Sequence, residues 1–111
     1  MKLADVGEVI AVREFKLVRN QLPPAQVKVL MGKPQHFPDH SDFYCPYQIT
    51  GLGDKKVRAA GGVDAFQAIM LALSAIGVEL ETTSRDSGGE LVWDAGERND
   101  FGFPRADWIK D

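Results

Sequence analysis

A chain of 111 residues has room for one hydrophobic core. Its 44% hydrophobic and 26% charged content excludes a collagenous, disordered or disulfide-scaffold chain. A formal net charge of −3 argues against nucleic-acid binding, which needs a concentrated basic face to displace counterions from phosphate.

The charge is uneven. Residues 1–60 hold nine Lys/Arg against six Asp/Glu, and residues 61–111 hold four against ten. Such a dipole could steer a charged partner, although sequence halves seldom become surface halves in a single-core domain. Cys45 is the single cysteine, so no intrachain disulfide forms and a reducing compartment is expected. The first residues lead directly into mixed charge without the apolar stretch of a secretory signal. The expected location is therefore cytoplasmic. The longest apolar run, Val63–Ile76, is shorter than a bilayer requires, so no membrane partner is expected.

From Gly7 to Arg19 the chain reads as a strand, with Phe15 and Leu17 on one side and Glu14 and Lys16 on the other. A turn at Asn20–Pro24 separates it from Gln26–Met31, where Val27, Val29 and Met31 alternate with polar residues as in a hairpin partner. Gly32–Asp42, with its two prolines, reads as an exposed, mobile loop.

Phe43, Cys45, Tyr47 and Ile49 form one face of the next strand. A three-residue loop at Leu52-Gly53-Asp54, with Gly53 left-handed, sets Ile49 against Val57, Tyr47 against Ala59 and Gln48 against Arg58. That register puts Tyr44, Gln48 and Arg58 on the opposite face as a candidate ligand patch, whose plain alternative is a solvated sheet face.

Gly61-Gly62 then frees the backbone to turn, and Val63–Ile76 reads as a helix with acidic Asp64 at its start and Gly77 past its end. Ala65, Phe66, Ile69, Met70, Ala72, Leu73 and Ile76 cover a broad apolar face suited to lying on a sheet. The other face carries Gln67 and Ser74, with Ala68, Leu71 and Ala75 among them, and no Lys, Arg or Glu. An exposed helix face normally carries such charges, so these five residues are the candidate partner-binding surface, covered either by the C-terminal segment or by another chain. Val78–Thr83 and Glu90–Asp94 read as a third hairpin with Leu80 and Trp93 in the core. Phe101-Gly102-Phe103-Pro104 and Trp108-Ile109 are too apolar for a free tail and should dock on the body or on a partner. The order ββββαββ describes a single α+β domain over residues 1–111, with one antiparallel sheet of about six strands and one helix packed on one face.

Motifs with chemical meaning are weak. His36, Asp39, His40 and Asp42 have metal-ligand chemistry, but Pro38 prevents helical spacing of the two histidines and turn-forming explains them equally. Cys45 alternates with core residues, which favours an inert buried thiol over a nucleophile. Gly51-Leu52-Gly53-Asp54 and Gly61-Gly62 are fragments of phosphate loops without the full pattern. Glu79, Glu81, Asp86, Glu90, Asp94, Glu97 and Asp100 read as solvated acidic positions rather than an acid/base pair. No cofactor is expected.

The stretches Phe43-Tyr44-Cys45-Pro46-Tyr47-Gln48-Ile49-Thr50-Gly51-Leu52-Gly53-Asp54, Val57-Arg58-Ala59-Ala60-Gly61-Gly62-Val63-Asp64-Ala65-Phe66-Gln67-Ala68-Ile69 and Ala72-Leu73-Ser74-Ala75-Ile76-Gly77 resemble a family of small uncharacterised bacterial proteins. The resemblance implies a bacterial origin and a shared fold, and transfers no catalytic residue. The expected function is a cytoplasmic, non-enzymatic protein-binding domain, homodimeric or similar to toxin-neutralising immunity proteins. The alternative is a small-molecule-binding or enzymatic domain with a pocket near Tyr44, Gln48 and Arg58.

Overall fold

A computed structural model describes residues 3–52, 54–96 and 100–104. Gly53, Glu97 and the Trp108-Ile109 pair therefore lie outside the described residues.

Strands β1 (Val9–Val18) and β2 (Ala25–Gly32) form the expected antiparallel hairpin. Period-2 alternation sends Phe15, Leu17, Val27 and Val29 into the core. On the other face Glu14 lies opposite Lys28, and the two side chains pair at 3.7 Å.

The polar segment after β2 is more ordered than its composition implies. It contains β3 (Gln35–His36), which folds back onto β4 (Phe43–Thr50), and Phe37 N donates to Asp42 O at 2.9 Å to close the hairpin. Aromatic packing fixes it: the His36 ring lies 3.9 Å from that of Phe43, and Phe37 lies 5.2 Å from Tyr44. β2 and β3 lie along one edge of β4, and the ladder breaks where Pro46 has no N–H to give.

β5 (Val57–Gly62) pairs with the other edge of β4, one residue out of the expected register. Tyr47 faces Arg58, Gln48 faces Val57 and Cys45 faces Ala60. Matching apolar groups across the strands predicts otherwise, but the observed pairing turns Ala60 and Gly62 toward the helix. A Cβ on Gly62 would stand 2.5 Å from Ala68 N. The register thus places the smallest residues where the helix comes closest.

The helix α1 (Ala65–Asp86) is 22 residues long, not the 14 expected. Asp64 caps it by accepting from Gln67 N at 2.8 Å, and Gln67 Oε1 in turn accepts from Val63 N at 2.8 Å, a reciprocal arrangement close to a capping box. The expected strand Val78–Thr83 is the continuation of this helix. Its alternation is overridden by a longer helical stripe, Ala68, Ala72, Ile76 and Leu80, all fully buried. Gly77 does not end the helix but makes room on it, since a Cβ there would stand 2.7 Å from Pro104 O.

β6 (Glu90–Val92) pairs with β1 at Lys16–Val18 and buries Leu91 against the core. The sheet thus runs β5, β4, β2 with β3, β1, β6, and α1 packs mainly on β5 and β4. Phe101 and Phe103 dock against Phe15 on the inner face of β1, with ring centroids 5.9 and 6.5 Å away. The result is one antiparallel six-stranded sheet with one helix on one face, the expected α+β class. The sixth strand is the short β3 rather than Val78–Thr83.

Gly62→Ala tests the closest contact. It should destabilise the domain by about 1–3 kcal/mol, the range for overpacking a tight site, in urea unfolding. Gly61→Ala, whose Cβ would meet nothing nearer than 3.6 Å, should change little.

Candidate functional site

The close seat of α1 on β5 decides which helix residues remain outside. Only the alanine side of the helix can approach Gly62 and Ala60, so the buried stripe starts at Ala68 and Ala72. Phe66 and Met70, expected against the sheet, are turned out and stand 79% and 65% exposed. Val63 (69%), Leu71 (48%) and Val78 (58%) are exposed with them.

Of the five residues assigned to a partner-binding surface, Gln67 and Leu71 are exposed, while Ser74 and Ala75 are half-buried. Ala68 is fully buried beneath the helix and is no part of an outer surface. The sequence left open whether the C-terminal segment covers Leu71. Its described part, Phe101–Pro104, docks instead over Gly77 and β1. Arg13 holds it there: Nη1 donates to Phe101 O at 3.2 Å and Gly102 O at 3.0 Å, and the guanidinium stacks on Trp93 (4.1 Å) and Phe103 (4.8 Å). Arg13 carries no sequence motif that marks this role.

Because α1 is longer than a 14-residue segment, its length and composition would suffice to cross a membrane. As folded, one side of it is committed to the sheet, as core helices of globular domains are.

The candidate ligand patch does not converge. Tyr44 lies buried on the outer sheet face with Phe37 against it, and the segment Leu3–Gly7 borders the shallow pocket it lines with Pro46. Gln48 Nε2 donates to Lys55 O at 2.6 Å. The register shift carries Arg58 to the opposite, helix-bearing face. There it sits between two carboxylates, with Nη2 3.1 Å from Asp54 Oδ2 and Nε 3.2 Å from Glu79 Oε1. Hydrogen bonds from Lys56 N and then Arg58 hold the Asp54 carboxyl below its ordinary range. Burial, reinforced by the charge of Glu79, raises the Tyr47 phenol, and Arg58 opposes that shift. This cluster ties α1 to β5. Reading Glu79 as a solvated strand residue concealed it, and the helical spacing that continues through Ala72, Ile76 and Leu80 is the signal that could have revealed it.

The histidines serve the β3–β4 hairpin: His40 Nδ1 accepts from Asp42 N at 3.3 Å, and His36 Nδ1 bonds Ser41 O at 3.1 Å. Among the described residues, no group of three or more His, Cys, Asp or Glu is placed to hold a metal ion. Cys45 is fully buried with Sγ 3.7 Å from Gly32 O, and burial pushes its thiol up to about 11, so it is protonated at neutral pH.

The sequence model of a domain of unknown function, DUF6968, matches residues 11–105. The chain belongs to this family. The DUF6968 match takes in the helix and every strand except the first two residues of β1, and includes Arg13, Arg58, Glu79 and the exposed residues of α1. No curated protein and no solved structure is significantly similar to the chain.

The buried thiol makes alkaline stability testable. Unfolding returns Cys45 from about 11 to near 9.0, so its contribution is complete below pH 9 and is lost as pH rises through 11. The loss should amount to roughly 2–3 kcal/mol. In urea unfolding across this range, Cys45→Ala should give a flatter pH dependence, with a residual slope from Tyr47. Parallel curves for the two proteins would show that the thiol titrates normally.

Proposed function

We propose that this DUF6968 domain is a non-enzymatic protein-binding module whose contact surface is the outer face of α1, centred on Phe66 and Met70. The observation that carries the reading is their exposure, 79% and 65%, on an element that leaves no charged residue between Asp64 and Glu79. Phe66 and Met70 lie four residues apart on α1 and so share a face, and exposed Val63 stands just ahead of the Asp64 cap. A contiguous exposed stripe of large apolar side chains rimmed by polar groups favours association over bare solvation. Leu71 and Val78 extend it on the side where Gln67 and Ser74 supply hydrogen-bonding groups.

The cluster around Arg58 supports a non-catalytic reading, because both its carboxylates are engaged with the guanidinium and the thiol nearest in the fold is buried. A second copy of the chain is the simplest partner to test. Light scattering over a concentration series should show association that Phe66→Ser with Met70→Ser abolishes. Surface substitutions of this kind should leave stability within about 0.5 kcal/mol. A monomer at all concentrations would turn the test to a different protein, for which Leu71→Glu is the matched control. Retention of every partner by both folded variants would sink the proposal.

A further inference from the structure

β6 protects only part of the sheet edge. It pairs with β1 at Lys16, Leu17 and Val18, and then the chain leaves the strand line in a turn where Gly96 N donates to Trp93 O at 3.0 Å. Ahead of that point β1 runs on through Ala11–Glu14 in regular pairing with β2, and among the described residues no strand pairs with its outer edge. Val12 is 53% exposed there, and Val9 and Ile10 just beyond a bulge are 44% and 46% exposed. Native sheets ordinarily cover or charge such an edge, because its free N–H and C=O groups accept another strand.

Beside this edge lies an apolar cleft of about 270 Å³, floored by Ala11, Val29 and Met31 and walled by Leu73 and Ile76 of α1 and by Phe103. The cleft exists because α1 packs mainly on β5 and β4, and among the described residues Phe101–Pro104 is the segment that comes against this end of β1. Arg13 stands at its rim, held by the Phe101 and Gly102 carbonyls.

We propose that the open edge of β1 at Ala11–Glu14 receives an extended peptide strand from a partner protein, with one large apolar side chain of that strand seated in the adjacent cleft. A strand continuing the line of β6 runs antiparallel to β1, and its residue opposite Ala11 points to the inner face, as Leu91 does opposite Leu17. Main-chain bonds then give affinity and the cleft gives selectivity, the division of labour in strand addition. Arg13 favours an acidic residue near the anchor. A second copy fits this edge poorly: opposite residues of a symmetric antiparallel pair share a face, so from the open stretch Ala11–Glu14 only Ala11 or Arg13 could sit opposite Ala11. Neither fills the cleft with a large apolar group. The inference extends the protein-binding reading to a second surface and does not use Phe66.

The test selects binders from a displayed library of random octapeptides and measures the synthetic winners by fluorescence anisotropy. Winners should share one Leu, Ile, Phe or Met at a fixed position, and changing it to Gly should weaken binding roughly ten- to a hundredfold. Binding should slow amide hydrogen exchange within Ala11–Glu14. Ala11→Phe, which fills the cleft from an exposed position, should abolish binding while Phe66→Ser leaves it intact. N-methylation of alternate peptide amides, which leaves the protein untouched, should do the same as Ala11→Phe. The absence of any saturable binder, or binding lost only in Phe66→Ser, would overturn the edge site; in the second case the peptide belongs to the helix face. Exchange protection of Ala11–Glu14 that rises with protein concentration alone would overturn it in favour of a second copy.

Discussion

Gly62 and Ala68 bring β5 and α1 together at a distance that leaves no space for a side chain on the strand, and most of the molecule's arrangement follows from that contact. With Ala60 and Gly62 turned to the helix, the β4–β5 register is set and Arg58 comes to the same face. Its charge is then met by Glu79 from the helix and Asp54 from the preceding loop. Arg58 is partly buried on that face, and its pairing with both carboxylates offsets the cost of taking part of its charge out of water.

The same contact fixes the rotation of α1. A helix that must approach through Ala68 and Ala72 cannot also bury Phe66 and Met70, and these become surface. Its position over β5 and β4 leaves the far side of the sheet short of cover. The segment Phe101–Pro104 fills part of that gap, locked by Arg13 and by the flat site at Gly77, and what it does not fill is the cleft beside β1. Exposed helix, clamped C-terminal segment and the cleft beside β1 are three consequences of one close approach.

Much of the fold was legible residue by residue. The alternation of Phe15 and Leu17 with Glu14 and Lys16 marks β1, and the Asp64–Gln67 spacing marks the start of the helix. Misreadings arose where local signals had two meanings. Gly77 carries the composition of a helix stop but functions as a docking space, and Val78–Thr83 alternates like a strand while its Leu80 completes a helical stripe. Gly32–Asp42 has a loop's prolines, yet Phe37 on Tyr44 and His36 on Phe43 draw it into the sheet. On the helix the inside and outside are exchanged at three positions: Ala68, expected on the outer face, lies inside, and Phe66 and Met70, expected against the sheet, lie outside.

The sequence by itself determined the α+β class, the burial of Cys45 and a helical stretch, Ala65–Ile76, that lacks charge and has more apolar residues than one sheet can cover, because these depend on period and composition within single segments. The tertiary structure decided which of those residues lie inside, which face Arg58 takes and where the C-terminal segment Phe101–Pro104 docks. Those outcomes depend on how closely two elements distant in sequence can approach. That distance is set by the smallest residues, whose contribution is the side chain they lack.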